Sequence, residues 1–269
     1  MQDKLCFISF GSSSSGNCYY IGTQKYGFLI DAGVNIKTIK RTLKEHCIDM
    51  ESIYGAFITH AHTDHIKYVG VLAEKYNIPI YSTKLVAEAI NRNTRLYPKI
   101  SSNNRKIFHK GDSIRIKDFL FYAFPVSHDI NDAMGYAVAY GDKRFVVATD
   151  LGYISKDVAD QIARANFLVI EANYDPEMLK NGPYSYHLKQ RVSSHTGHLS
   201  NEHTAKFLAD NWHDGLSHLF LCHISGENNT PDIAYNTVKT ALDSKKITPY
   251  HFSVLDRLLP SEMFVLETV

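Results

Sequence analysis

The sequence lacks several features that would assign a chain to a class at once. It has no C-x-x-C pair among its four cysteines, no apolar run of membrane-spanning length, and no internal repeat, long linker or block of like charge. Without paired cysteines, a zinc or redox site built on thiolates is not expected. We therefore predict reduced, buried thiols at the four positions, which are Cys6, Cys18, Cys47 and Cys222.

Charge and N-terminal composition exclude further classes. A net charge of +1 gives no overall attraction to nucleic acid or membranes, so any anion site must be local. The segment Met1 to Cys6 lacks a basic region followed by a long apolar stretch, and we expect neither a signal peptide nor a membrane partner. The cytoplasm is the expected location. With 269 residues, 44% of them hydrophobic, the chain is expected to form one domain, residues 1–269.

Short runs of apolar, β-branched and aromatic residues predict strands throughout the chain. The runs are 5–10, 28–31, 56–59, 78–82, 119–127, 136–140, 145–149, 167–171, 219–223 and 251–255. Helical spacing appears between some of them, as in Ile36, Ile39 and Leu43. Ser200, followed by an early acid and an apolar stripe, predicts a helix N-terminus. More than ten strands and about five helices predict two sheets packed together and covered by helices.

Three histidines and an aspartate occupy six consecutive positions of this chain, which has 14 histidines in all. The segment from His60 to His65 has the sequence H-A-H-T-D-H and follows the predicted strand that ends at Thr59. His60 and His62 would point the same way, while Asp64 and His65 turn toward a neighbouring point. That spacing suits two adjacent metal ions better than one, and a pair of ions favours hydrolysis. The alternative is a histidine-rich surface turn that binds no metal.

Partners for this segment fall at the ends of other predicted strands. Asp31, His128, Asp150 and His223 each follow an apolar run, as a site at one sheet edge requires. A carboxylate at Asp150 can bridge two ions, and the two histidines can complete their coordination while leaving a position for water. Asp31 either orients a ligand or caps the turn that follows it. Cys222 would face the opposite side of its strand, in the core.

The order and type of these residues resemble the metallo-β-lactamase superfamily. The resemblance implies an α/β (α+β) fold, a four-layer αββα sandwich of two mixed sheets flanked by helices. Five further segments resemble the bacterial YycJ (also called WalJ) family: G-S-S-S-S-G-N at 11–17, F-L-I-D-A-G at 28–33, I-E-A-N-Y-D at 170–175, L-K-Q-R at 188–191 and G-H-L-S-N-E at 197–202. What that family implies is a metal-dependent 5′-to-3′ exonuclease that acts on DNA and is linked to repair.

The resemblance also implies a role for each ligand. One ion would be held by His60, His62 and His128, and the other by Asp64, His65 and His223. Asp150 would bridge the two ions, and Asp31 would orient the ligand loop. The expected cofactors are two divalent ions, either zinc or manganese, with iron as a further candidate. A hydroxide held by both ions would attack phosphorus in line. The predicted catalytic residues are Asp64 and His198.

Segments outside the ligand set favour a phosphodiester and hence DNA as the partner. Ser13, Ser14 and Asn17 would present hydroxyl and backbone N–H groups to a phosphate, although a serine run can also be a flexible turn. A second set of expected substrate contacts lies near the Ser200 helix start, where an anion is favoured. This set is Lys189, Arg191, His195 and Asn201. Its basic members can equally form a solvated face. Most aromatic residues fall in predicted strands, so no base-stacking platform is expected.

Other functions of the same scaffold stay open. Hydrolysis of a small ester, a thioester or a cyclic phosphodiester would use the same ligands, and the ligands alone do not separate these substrates. A secreted β-lactamase is disfavoured because an export signal is lacking and Asp150 stands where a cysteine is common. His62 argues against the di-iron members, which carry Glu there. A non-catalytic binding module is disfavoured because no ligand is missing.

Overall fold

The computed structural model of this chain describes residues 3–266, in which fourteen strands and nine α-helices are found. The strands are β1 (Leu5–Ser13), β2 (Gly16–Gly22), β3 (Gly27–Ile30), β4 (Ile53–Phe57), β5 (Ile80–Ser82), β6 (Arg105–Ile107), β7 (Ser113–Ile116), β8 (Phe119–Pro125), β9 (Met134–Tyr140), β10 (Lys143–Ala148), β11 (Phe167–Glu171), β12 (His218–Cys222), β13 (His251–Val254) and β14 (Phe264–Leu266). The helices are α1 (Ile36–Glu45), α2 (Thr63–Ile66), α3 (Val69–Tyr76), α4 (Lys84–Arg92), α5 (Lys156–Ile162), α6 (Pro176–Asn181), α7 (Tyr186–Val192), α8 (Asn201–Asn211) and α9 (Pro231–Ser244).

The strands form two mixed sheets of seven strands each. Their orders are β14-β1-β2-β3-β4-β5-β6 and β13-β12-β11-β10-β9-β8-β7. In the first sheet β3 to β6 are parallel, while β1 and β2 pair in antiparallel fashion with their neighbours. In the second sheet β10 to β13 are parallel, and β9 is antiparallel to β10. The prediction of two mixed sheets accompanied by helices is therefore confirmed.

Two compact units are distinguished within the described residues. The first comprises residues 3–116, 130–134 and 256–266, and the second comprises 117–129 and 135–255. In the first unit, α1 buries Ile39 and Leu43 in a core that also contains Leu72 of α3 and Ile58. Full burial of each such side chain stabilises the fold by about 1.5–3 kcal/mol. The three-to-four-residue spacing predicted for this helix is what makes that burial possible.

The core of the second unit is built by α5, α8 and α9. Ile162, Leu208 and Val238, one from each helix, are buried with aliphatic side chains of the parallel strands. The side chain of Ser200 accepts a hydrogen bond from the backbone N–H of His203, so α8 begins where the sequence predicted a helix N-terminus.

All ten predicted strand runs contain strands. The strands that lie outside those runs are β2, β6, β7 and β14. β6 is three residues long and all three are exposed, so the strand has no alternation of buried and exposed residues to detect. The expectation of about five helices is wrong, because nine are found in residues 3–266. Short helices such as α6 and α7 are too brief for a periodic pattern to appear.

The cysteines are free, as predicted, and three of them are buried. Cys47 is an exception and is exposed. It lies just beyond α1 with a left-handed φ of 59°, in the turn that ends the helix, and its side chain does not reach the core. Among the helices of residues 3–266, none combines the length and the apolar character that a membrane span requires.

Candidate metal centre

In the first unit, the predicted ligands lie at the carboxyl ends of two parallel strands. Asp31 directly follows β3, and His60 comes three residues after the end of β4. Parallel strands deliver their carboxyl ends to one edge of a sheet, where sites in such folds form. His62 is the N-cap residue of α2, and the next turn carries Asp64 and His65. The H-A-H-T-D-H segment is therefore half extended and half helical.

Asp31 holds His65 in a buried network. Its Oδ2 lies 2.7 Å from Nδ1 of His65, and its Oδ1 accepts a hydrogen bond from the backbone N–H of Thr59 at 2.8 Å. All three residues are almost fully buried. Burial raises the pKa of the Asp31 carboxyl, while His65 and Thr59 act in the opposite direction. With Nδ1 engaged, the Nε2 atom of His65 is turned toward Asp64, 3.3 Å from its Oδ2.

His60 and His62 bring two ring nitrogens close together. Nε2 of His60 lies 3.0 Å from Nδ1 of His62, and the rings meet edge to face. Two nitrogens that bind one zinc ion at tetrahedral geometry stand about 3.3 Å apart, since each bond is about 2.0 Å long. Thr59 contacts Nδ1 of His60 through its Oγ1 at 3.0 Å, which fixes the ring orientation. The distance between these two nitrogens is therefore close to that expected for two ligands of the same metal ion.

Asn17 and Gly33 support the same segment. The Asn17 amide lies 3.2 Å from Oδ2 of Asp64 and 3.0 Å from Nε2 of His65. A Cβ atom at Gly33 would lie 1.6 Å from the backbone oxygen of Asp64, so only glycine allows this approach. The close contact with Asp64 thus explains why the F-L-I-D-A-G segment ends in glycine. Asn17 is fully buried and contacts two of the proposed ligands.

The serine run is a tight hairpin. β1 extends through Ser13 and β2 begins at Gly16, so only Ser14 and Ser15 form the turn. Ser13 is buried, and its hydroxyl donates to the backbone oxygen of Arg257 at 2.9 Å. Ser14 is exposed. Of the three substrate contacts predicted here, Ser14 alone has an exposed side chain. The side chains of Ser13 and Asn17 are buried and hydrogen-bond to other parts of the protein.

The second unit gathers its acidic and imidazole groups in the same way. Asp150, Glu171 and His223 lie at the carboxyl ends of the parallel strands β10, β11 and β12, and His198 comes from the loop before α8. One ligand atom from each of these four residues lies within 4.8 Å of all the others. Oδ1 of Asp150 is 3.6 Å from Nε2 of His223 and 3.8 Å from Nε2 of His128.

Glu171 joins this group and was not predicted from the sequence. The carboxylate is fully buried, and its Oε1 lies 2.6 Å from Nδ1 of His198 and 3.1 Å from Nδ1 of His223. Its Oε2 accepts hydrogen bonds from the backbone N–H groups of Leu151 and Leu199. A charged residue that ends an apolar strand was the signal used for Asp31 and would have identified Glu171.

The electrostatics of His198 follow from this contact. Burial lowers the pKa of its imidazole, but the Glu171 carboxylate more than offsets that effect, so the pKa of His198 lies above its ordinary value. Burial opposes ionisation of Glu171 as well, yet the neighbouring His198 holds the pKa of Glu171 below its ordinary value. The pair therefore favours an imidazolium beside a carboxylate.

His128 is oriented by a backbone carbonyl. Its Nδ1 lies 3.2 Å from the oxygen of Gly197, which turns Nε2 toward Asp129 and Asp150. Asp31, Asp150 and His223 share a further property, because each has a left-handed φ, between 55° and 62°. Such backbone is strained for residues other than glycine, at about 1 kcal/mol each, and is found where a site constrains the chain.

The remaining predicted substrate residues differ in accessibility. Lys189 donates to the backbone oxygen of Lys180 at 2.7 Å, and Arg191 pairs with Asp129. His195 is exposed. Asn201 is fully buried and exchanges hydrogen bonds with Asn229 in both directions. The interpretation of Asn201 as a direct substrate contact has no support in this structure, since its amide is satisfied inside the fold.

The donor chemistry of both groups fits divalent metal ions. Imidazole nitrogens and carboxylate oxygens together accept zinc, manganese or iron. In three of the histidines the Nδ1 atom contacts a carboxylate or a backbone carbonyl, which leaves Nε2 for a metal ion. These are His65, His128 and His223. Metal-binding histidines are oriented in this manner.

Comparison with known proteins gives concordant matches. A model described as the beta-lactamase superfamily domain matches residues 26–224. The chain is 35% identical over 241 residues to the exodeoxyribonuclease YycJ of Bacillus anthracis, with 90% of each chain covered. It is 38% identical over 231 residues to the exodeoxyribonuclease WalJ of Streptococcus pneumoniae serotype 2, with 86% of each covered. The crystal structure of YhfI from Bacillus subtilis, a metallo-β-lactamase fold protein, matches with a TM-score of 0.71 at 16% identity and covers 97% of this chain and 99% of that one.

Proposed function

Because the chain belongs to the metallo-β-lactamase superfamily, whose domain model spans residues 26–224, we propose that it is a metal-dependent phosphodiester hydrolase and, more narrowly, a DNA exonuclease. The observation that carries this proposal is the identity of 35–38% to two exodeoxyribonucleases over 86–90% of the chain. The 5′-to-3′ direction, a link to repair and a cytoplasmic location are parts of the same proposal. The family match includes parts of both compact units, which supports a single catalytic domain.

Seven residues are proposed to hold two divalent ions. His60, His62 and His128 would bind one ion, Asp64, His65 and His223 the other, and Asp150 both. When bound, the ions would supply a nucleophile at neutral pH and neutralise charge on the phosphoryl oxygens. The support is the donor type at each position and the buried hydrogen bonds that fix the rings.

The chain itself would orient the ligands and deliver a proton. Asp31 fixes His65 through Nδ1, and Asn17 holds Oδ2 of Asp64, the ligand for which we also propose a catalytic role. Glu171 holds the proton on Nδ1 of His198, so Nε2 of the imidazolium can donate its proton to the leaving oxygen. His198 would thus be the general acid of the reaction.

A small ester, thioester or cyclic phosphodiester hydrolase remains the alternative function. It would use the same ligands, and fold alone does not choose between these substrates. The choice of DNA rests on the two exodeoxyribonuclease relatives.

The test is metal analysis of the purified protein followed by a substrate panel. The panel contains 5′-phosphorylated duplex DNA, single-stranded DNA, RNA, a chromogenic phosphodiester and a glutathione thioester. We expect cleavage of DNA, and we expect Asp64→Ala to lower its rate at least 1,000-fold, because oriented metals supply most of the acceleration (about 10³ or more). Hydrolysis of the thioester alone would contradict the proposal, as would an Asp64→Ala variant of unchanged rate.

A further inference from the structure

Two surface grooves of the second unit adjoin each other outside the proposed ligands. The first encloses about 500 Å³ beside α6 and α7 and is lined by Lys180, Tyr186 and Lys189, among others. The second encloses about 370 Å³ between the loop that follows β10 and α8 and is lined by Tyr153 and Phe207. Ser193, at the end of α7, lines both grooves, so they meet there.

The chain segment around the first groove is rich in positively charged residues. The 24 residues from Met178 to Asn201 contain three lysine or arginine residues and three histidines but no aspartate or glutamate. Some of this charge is compensated from outside the segment, since Arg191 pairs with Asp129 and Lys180 approaches Glu177. The ammonium group of Lys189 donates to a backbone carbonyl instead, so its charge is available to an anionic ligand in the groove.

Aromatic rings stand exposed in both grooves. The side chain of Tyr186 is 71% exposed and that of Tyr153 is 46% exposed, and neither lies in a strand. The Tyr153 ring is braced edge to face against His195, with their centroids 5.9 Å apart. Exposed rings beside positive charge are the two elements by which proteins hold single-stranded nucleic acid, because every base offers a flat face and every nucleotide a phosphate.

The second groove abuts segments that carry two proposed metal ligands and the proposed general acid. The hydroxyl of Ser127 donates to the backbone oxygen of His195 at 2.6 Å, and the N–H of Gly152 donates to the oxygen of Ser127 at 2.8 Å. A Cβ atom at Gly152 would lie 2.0 Å from that His195 oxygen, so the three backbones are in close contact. These segments continue directly into His128, Asp150 and His198. The second groove therefore lies next to the segments that carry these three residues.

We propose that the two grooves hold a single-stranded segment of the DNA substrate, with bases stacked on Tyr186 and Tyr153 and a backbone phosphate beside Lys189. This inference rests on the proposed nuclease function and adds to it how the substrate strand is held. It differs from the expectation from sequence, in which no aromatic residue serves as a stacking platform. A duplex end must open to place its strand in these grooves.

The test measures binding to the metal-loaded protein with an uncleavable phosphorothioate oligonucleotide that carries 2-aminopurine. Stacking quenches the fluorescence of this base, and fluorescence anisotropy gives the Kd. We expect Tyr186→Ala and Tyr153→Ala each to weaken binding about tenfold and together to abolish the quenching. Tyr186→Phe and Tyr153→Phe, which keep the ring, should retain both signals. Melting temperatures identify any variant that has lost its fold.

Tyr250→Ala is the matched control. Tyr250 is 70% exposed, like Tyr186, but it precedes β13 and so lies at the amino end of the parallel strands, opposite the proposed ligands. Its substitution should leave the Kd and the quenching as they are in the wild type. Wild-type binding by the double alanine variant, or equal weakening by Tyr250→Ala, would overturn the groove proposal while DNA cleavage by the wild type stands. A wild type that cleaves no oligonucleotide would overturn the nuclease function itself.

Discussion

The carboxylate of Glu171 lies 2.6 Å from Nδ1 of His198 and 3.1 Å from Nδ1 of His223, inside a fully buried strand end. One carboxylate thus fixes two imidazoles of different proposed roles, a proton donor and a metal ligand. These two roles can be separated with substrates whose leaving groups differ in their need for protonation.

Glu171→Gln tests the proton-donor role through the leaving group. Loss of the carboxylate removes the interaction that favours the His198 imidazolium, and we expect the rate of DNA cleavage to fall about 100- to 1,000-fold. A p-nitrophenyl phosphodiester has a leaving group that needs no proton, so its hydrolysis should fall far less. The exposed Glu45→Gln, in α1 of the first unit, is the control and should change neither rate. Equal losses on both substrates would instead assign Glu171 to metal binding through His223.

Asp31→Asn tests how His65 is oriented. Asparagine keeps the size of the side chain and tolerates the left-handed backbone at this position, but it removes the charge that faces Nδ1 of His65. We expect metal affinity to fall about 10- to 100-fold, measured by competition with a chelator. Asp49→Asn, at an exposed cap without a side-chain hydrogen bond, is the control. Unchanged affinity in Asp31→Asn would contradict the orienting role.

Gly33→Ala tests the close approach of two backbones. An added Cβ would meet the Asp64 oxygen at 1.6 Å, so α2 must shift or the chain must lose stability. We expect a loss of about 2–4 kcal/mol in the free energy of unfolding, together with a lower metal content. At Gly215 the nearest atom to a new Cβ belongs to the side chain of His213, 3.1 Å away, which can move. Gly215→Ala should therefore cost much less in a denaturant titration.

His218 makes stability depend on pH at a position away from the proposed ligands. Burial, then His251 and Lys143, lower its pKa from 6.5 to about 4. The unfolded chain therefore takes up a proton at this residue before the folded chain does. The stability contribution is present above pH 6.5 and is lost as the pH falls toward 4, by at most about 3 kcal/mol.

His218→Phe removes this titration while keeping an aromatic ring next to Phe167. We expect the free energy of unfolding of the wild type, relative to this variant, to decrease between pH 6.5 and 4. Comparing the two proteins cancels the contribution of titrating groups that do not interact with His218. A difference that does not vary with pH would contradict the assignment.

The strand ends were predictable because an acidic or imidazole residue directly after an apolar run violates the pattern of a buried strand. That signal located Asp31, His60, Asp150 and His223, and it would also have located Glu171. Buried supports such as Asn17 and Asn201 could not be separated from surface contacts, since a polar amide looks the same in sequence whether it faces water or a buried partner. Tyr153 and Tyr186 were missed because their exposure depends on the loops and short helices that carry them.

The left-handed backbone at Asp31, Asp150 and His223 has a consequence for the evolution of this chain. At each position glycine would adopt the observed φ without this strain, so the strained backbone lowers the stability of the folded state. Selection for folding alone would not preserve the strain at Asp150 and His223, whereas Asp31 also makes buried hydrogen bonds; selection for activity keeps all three. Variants selected for heat resistance without an activity screen should accumulate substitutions at Asp150 and His223, and such proteins would be more stable and inactive.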